Sequence, residues 1–486
     1  MNKMNKVGYY FLNLLIGLII VQTLSTLSTI MVLSGLVLLI IHSLIIYYVF
    51  NDQFLYLIYL FSLCIMNTSD KMGGIVLAPT VIFISCIFSP GRFEVKDKFI
   101  KSSIFILLMT TYLGYIIKNK ADMMDIMQSF IIFTGCLLTF VYIQNFKFTI
   151  NHINLIFKTF TFCSILLFFV ALNQKFVFID TSIPLLGSES WDSTVSEVGI
   201  YYGNRMPSLL FDYELFQELS LLFFILAFTI MADKKSMAFF RFKAGPAILV
   251  LISFLNMILT GTRSGFLLLF GFLLIFVWLR IKNFFSSQVW ILILFLAILI
   301  PIVVNYGEVF GLDYLINRFK EIDLRNVGLR NIISGEEMNR AYVYAEGYKR
   351  LAEENWLLGF GYGTGQSNNL AWFSNLGATG MIEIRDFHSL YICMPMIYGW
   401  IGGVTYLFII IYLIILLFQK FLKFSDSPLG SLILGLALLF FFFLLNEIKI
   451  NSLRIYNYHF MIWILMGFGF SISRIKSISD EGSLVY

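Results

Sequence analysis

Long apolar runs separated by short polar breaks account for most of the chain. The runs fall at 7–23, 29–50, 53–66, 74–89, 100–117, 127–145, 153–171, 213–231, 246–259, 265–281, 288–305, 388–418, 429–446 and 456–472. A helix needs about 20 residues to cross a hydrocarbon core of roughly 30 Å, and about 17 suffice. The pattern therefore predicts an all-α polytopic membrane protein with about 12–14 transmembrane helices. Two breaks are long. They divide the chain into N-terminal transmembrane helices (1–171), a first long loop (172–212), central transmembrane helices (213–305), a large loop (306–387) and C-terminal transmembrane helices (388–486).

Composition supports this class. Of 486 residues, 59% are hydrophobic and only 13% charged, against roughly 45–50% and about 25% in soluble domains. The start, MNKMNKVGYYFLNLLIGLIIVQ, has a basic-then-apolar shape but no A-x-A cleavage site, so it reads as an uncleaved first span. Charge then orients the spans. Lys3 and Lys6, the segments 90–101 and 232–245, Arg280 with Lys282, Lys420 with Lys423, and Arg474 with Lys476 all fall on one side of a fourteen-span arrangement. The positive-inside rule makes that side the cytoplasm. Both long loops, and the short turn TGTRSG at 260–265, then face outward. The net charge of +5 follows this topology and excludes a nucleic-acid face. Five cysteines, Cys64, Cys86, Cys136, Cys163 and Cys393, lie in or beside apolar runs without C-x-x-C spacing, as small core residues do. Neither a disulfide nor a metal site is expected.

The outward segments carry the candidate chemistry. Arg263 stands in TGTRSG between two membrane-spanning runs, where water or an anion must reach it. Arg205, in YYGNRMPSLLF, closes the first long loop. In the large loop, Tyr342, Ala345, Tyr348, Ala352 and Trp356 recur at three- and four-residue spacing and predict an amphipathic helix. Arg340 stands at its start, where the helix dipole prefers anions, so an external anionic ligand or a solvated face accounts for it. GFGYGTG at 359–365 lacks the G-K-[ST] ending of a phosphate loop and fits a turn. His388 opens a span at its outer boundary, as an interfacial cap or a titrating group. Two guanidiniums suit phosphate oxygens and an imidazole can take a hydroxyl proton. Arg205, Arg263 and His388 on one face thus make a transferase site.

These segments resemble the O-antigen ligase and polymerase superfamily. His388, Ser389, nine intervening residues, Gly399 and Gly402 follow its H-[NSQ]-x9-G-x-x-[GTY] pattern. TGTRSG resembles its T-x-S-R-[GS] turn, NRMPSLLFDYELF its R-x-x-[GS]-x-[FL] stretch, and NWLLGFGYGTG its [PW]-x-x-G-x-G stretch, in the family's order over 205–403. The chain departs from the family at Ser389, where asparagine is frequent, and at Asp212 and Tyr213, where proline-asparagine is frequent.

The resemblance implies a bundle of the C-type glycosyltransferase kind with a large, partly helical external loop, in the bacterial cytoplasmic membrane with its site facing outward. The donor would be an undecaprenyl-diphosphate-linked oligosaccharide within the membrane lipid. Arg205 and Arg263 would hold its diphosphate and His388 would activate or position the acceptor hydroxyl; Arg340, from its place at the start of the loop helix, is a further candidate for substrate binding. No cofactor or metal is implied. A polysaccharide chain-length regulator enters as a partner on the family's account alone. The product would be an O-antigen or capsule polymer, built by joining one lipid-linked repeat unit to another. The alternatives are a ligase that moves a finished chain onto a lipid A core, and a flippase for lipid-linked oligosaccharides. Against the flippase stands the absence of two halves related by a repeat.

Overall fold

The computed structural model describes residues 93–119, 123–176, 206–239, 244–279, 347–359 and 389–478, apart from a few positions within them, together with 82, 86, 484 and 485. The fold is all-α, as the apolar runs predict. Ten α-helices cover most of the described residues: α1 (Lys98–Asn119), α2 (Met123–Gln144), α3 (Ile150–Phe176), α4 (Tyr213–Met231), α5 (Lys234–Phe239), α6 (Ala244–Thr260), α7 (Arg263–Leu279), α8 (Leu390–Phe424), α9 (Gly430–Asn446) and α10 (Tyr456–Ser473). A two-residue antiparallel pair, Ser477–Ile478 with Leu484–Val485, follows α10. Helices α3, α4 and α8 are long and apolar enough to cross a membrane, and α6, α7, α9 and parts of α2 and α10 are shorter apolar helices. The protein is a polytopic membrane protein. The predicted spans at 7–23, 29–50, 53–66 and 288–305 lie outside the described residues.

The helices begin where local chemistry permits. Asp97 accepts hydrogen bonds from the backbone N–H groups of Phe99 (2.9 Å) and Ile100 (3.2 Å) at the start of α1. Asp212 does the same at α4, taking Glu214 N–H at 2.8 Å and Leu215 N–H at 3.0 Å from an extended backbone. Each satisfies donors that no helical carbonyl can reach. The departure at Asp212 noted in the sequence is therefore a helix cap.

Packing divides the chain into two compact units, each discontinuous in sequence. The first takes in 1–147, 325–413 and 447–471, and so contains α1, α2, the 347–359 segment, the first part of α8 and most of α10. Its core is aromatic. Tyr398 packs against Phe133 and Tyr406, and Tyr406 against His459 and Trp463, with ring centroids 5.5 to 5.8 Å apart. Such separations fit favourable ring–ring contact. His459, wholly buried among these rings, packs as a core residue.

The second unit takes in 148–324, 414–446 and 472–486. Its centre is α4, in which every residue from Glu214 to Ile230 is buried. Helices α6, α7 and α9 pack against it, and α3 packs on α6. Stacked Phe160 and Phe223 (4.6 Å) join α3 to α4, and Phe272 meets Phe442 (5.9 Å) between α7 and α9. At the far end of α4, Asp233 accepts from Ser236 (2.8 Å) and Ser431 (2.7 Å), fastening α5 to the start of α9.

Candidate functional site

Of the four residues picked out by sequence, Arg263 is described; Arg205, Arg340 and His388 lie outside the described residues. Their nearest described neighbours carry the geometry.

In the second unit the TGTRSG turn joins α6 to α7. Gly261 has φ 59, a backbone conformation that glycine adopts without penalty, and its N–H bonds the Ile258 carbonyl at 3.1 Å. The chain then restarts as α7 with Arg263 as its first residue, partly exposed. The first backbone N–H groups of a helix have no carbonyl partner within it and carry the positive end of its dipole. Arg263 adds a full charge at that end, so the turn suits an anion by two independent effects.

The segment after Arg205 is fixed beside this turn. Met206 donates its N–H to the Leu259 carbonyl, two residues before Gly261, at 3.0 Å. Ser208 follows at φ 55, a left-handed backbone rare outside glycine. Three contacts hold it there. Its N–H goes to Gln174 Oε1 (2.9 Å), its hydroxyl to the Leu167 carbonyl (2.6 Å), and its own carbonyl accepts from Gln174 Nε2 (3.3 Å). Ser208 occupies the [GS] position of the R-x-x-[GS]-x-[FL] stretch, and the left-handed backbone is the physical reason glycine fits there.

A polar group that sequence reasoning missed sits on the other side of the turn. Glu214, Gln217 and Glu218, at i, i+3 and i+4 on α4, are all buried. Glu218 Oε2 accepts from Asn446 Nδ2 of α9 at 2.5 Å. Gln217 presses on Gly265: a Cβ there would meet its Cγ and Nε2 at 2.7 Å each. The second glycine of TGTRSG is thus small because Gln217 fills its side-chain space. Three polar residues at this spacing in an apolar run were a usable signal, since polar side chains within spans face the protein interior.

In the first unit, the two glycine motifs of the large loop and of α8 are locked together. Pro395 and Gly399 interrupt α8, and Gly399 has φ 74 and ψ 167. The Trp400 N–H, freed from the helical ladder, donates to the Trp356 carbonyl at 2.7 Å. A Cβ on Gly399 would run into the Leu357 carbonyl oxygen and come within 2.8 Å of Leu358 Cα. A Cβ on Gly359 would collide with the Ile397 carbonyl, and one on Gly114 of α1 with the Gly359 carbonyl. Three backbones therefore stack through glycine, and Trp356 beside them is 1% exposed. Of the predicted amphipathic helix, 347–349 and 351–353 are helical with Tyr348 and Ala352 exposed, while Tyr342 and Ala345 lie outside the described residues. Its Tyr348 is 62% exposed, so the burial of Trp356 comes from docking in the kink rather than from a shared helix face.

The first turn of α8 is held by the segment that follows α9. Leu390, two residues after His388, donates its N–H to the carbonyls of Glu447 (3.0 Å) and Ile450 (2.9 Å). Buried Glu447 in turn accepts the Ser452 N–H at 3.1 Å. Ser389, the residue after the histidine, is buried and its carbonyl takes the Cys393 N–H at 3.0 Å.

None of the curated proteins matches the chain. A family model does, over a stretch that begins in α6, takes in TGTRSG and the large loop, and ends in α8 beyond Gly402; the Arg205 segment precedes it. That model is described as O-antigen ligase, a family of glycan-transferring enzymes, and it matches residues 248–407 of the chain.

Proposed function

We propose that the protein is a glycosyltransferase that takes glycan from an undecaprenyl-diphosphate carrier and joins it to another lipid-linked repeat unit, as a surface-polysaccharide polymerase of the bacterial cytoplasmic membrane. The observation that carries the reading is the end of the second unit, where Arg263 opens α7 and the backbone following Arg205 is tied to the same turn at Leu259. Two arginines there would grip the donor diphosphate. A diphosphate already leaves readily, so the protein's task is to position it and neutralise developing charge. Arg340 would add to the anion-binding surface.

His388 takes the acceptor side. It immediately precedes the anchored first turn of α8, and as a base it would remove the acceptor hydroxyl proton while that oxygen attacks the anomeric carbon. The outward orientation follows from the distribution of lysine and arginine along the loops. A ligase that moves a finished chain onto a lipid A core is the second reading, favoured by the description of the matching family model.

His388→Ala tests and separates these readings. A general base contributes roughly a hundred- to ten-thousand-fold, so polymer should vanish while protein level in the membrane stays normal. Single exported repeat units would then mark the polymerase, full-length chains on carrier lipid the ligase, and single repeats facing the cytoplasm a flippase. Wild-type polymer from the variant would remove His388 from the mechanism.

A further inference from the structure

Gln217 is 0% exposed, and neither its amide nitrogen nor its amide oxygen has a hydrogen-bond partner among the described residues. The Ser264 hydroxyl, next to Arg263 and next to the glycine on which Gln217 rests, is also without one. A buried amide left unpaired is unfavourable, because its lost hydration is not replaced. In a helix as apolar as α4, leucine or methionine would fill the same space without that penalty. The position therefore has a use beyond packing. An amide supplies one acceptor and two donors, and a hydroxyl supplies both kinds. Uncharged groups of this kind beside the Arg263 turn match the hydroxyl or acetamido groups of a sugar better than a phosphate.

We propose that Gln217, with Ser264, binds the sugar attached to the donor diphosphate, so that glycan and carrier are recognised by different residues around one turn. This rests on the reading that Arg263 holds the diphosphate. Gln217 would be a specificity-determining residue that touches substrate, while Arg263 is indifferent to the sugar.

The test compares two ligands on purified protein in nanodiscs: undecaprenyl diphosphate without sugar, and the lipid-linked glycan extracted from cells in which His388→Ala blocks transfer. Gln217→Met keeps the volume and removes both polar atoms, so thermal unfolding should be unchanged or shifted upward. Its Kd for the glycan-bearing lipid should rise about tenfold, as expected for losing one or two hydrogen bonds, with the Kd for the sugarless lipid unchanged. Arg263→Lys should weaken both ligands. Gln217→Asn, which retracts the amide by one methylene, should show the same selective loss and stands in if the methionine variant is unstable. Equal affinities of wild type and both variants for the glycan-bearing lipid overturn the proposal, as does an equal loss for the two lipids. If wild-type protein binds neither lipid, the donor reading itself fails and the assignment of Gln217 falls with it.

Discussion

The two units solve different problems at the ends of helices. In the first, three glycines let backbones touch, and the contact between loop and helix is made by the Trp400 N–H and the Trp356 carbonyl. In the second, side chains meet: Gln217 against the TGTRSG turn, Glu218 with Asn446, Ser208 with Gln174 and Leu167. A junction made of backbone has no tolerance for added atoms but is indifferent to most side chains. A junction made of polar side chains tolerates size changes and is sensitive to chemistry. The motif residues of the two units should therefore fail in different ways, by unfolding in one and by lost binding in the other.

The largest effect is expected at the glycine stack. Gly399→Ala places a methyl group into the Leu357 carbonyl at a backbone conformation that alone disfavours an L-residue by about 1–3 kcal/mol. Little folded protein should survive detergent extraction and size-exclusion chromatography, and Gly359→Ala should behave alike. Gly271→Ala is the control, because the nearest atom to its new methyl, Phe442 Cε1, is 3.8 Å away. A well-folded Gly399→Ala protein would erase the contrast between the units.

Arg263→Lys is expected to leave folding intact and to lower glycan transfer roughly a hundredfold or more, because the charge stays while the two-pronged geometry is lost. Near-normal polymer length and yield on a gel would make Arg263 a point charge or an interfacial anchor. Asn446→Leu removes the amide donor to Glu218 and leaves a buried carboxylate oxygen short of one hydrogen bond. Thermal unfolding should show a loss of about 1–3 kcal/mol. The smallest effect separates backbone from side chain at Ser208. Ser208→Ala loses the hydroxyl bond to Leu167 and keeps the left-handed angle, whereas Ser208→Gly loses the bond and relieves the angle. The glycine variant should be the more stable of the two by about 1 kcal/mol. Equal stabilities would mean that the φ of 55 carries no strain.

Helix positions were legible in the sequence because lipid and core alike demand apolar side chains. The run at 213–231 is α4 to the residue, and 246–259 and 429–446 miss α6 and α9 by at most two at either end. The site was legible only where glycine or arginine stood out against that background. Gly261 and Gly265 mark a close turn, and they are close for two separate reasons, a positive φ and the Gln217 side chain. Glu214, Gln217 and Glu218 escaped notice because polar residues near the start of a span read as an interfacial end. Only the ring of helices around α4 reveals that they are enclosed. The bend in α8 was likewise hidden inside one long apolar run. Pro395 hints at it, but the partner that makes Gly399 obligatory arrives from forty residues upstream.

The Trp356 to Trp400 bond has a consequence for modularity. Its donor and acceptor are main-chain atoms, so the socket in α8 reads the shape of an incoming strand and not its spelling. Everything in the loop ahead of Trp356 can then be rewritten while the W-x-x-G clasp still snaps shut. A chimera that carries a foreign loop grafted at this clasp should assemble. Exchange of that kind offers a route by which one membrane scaffold could carry many different loops.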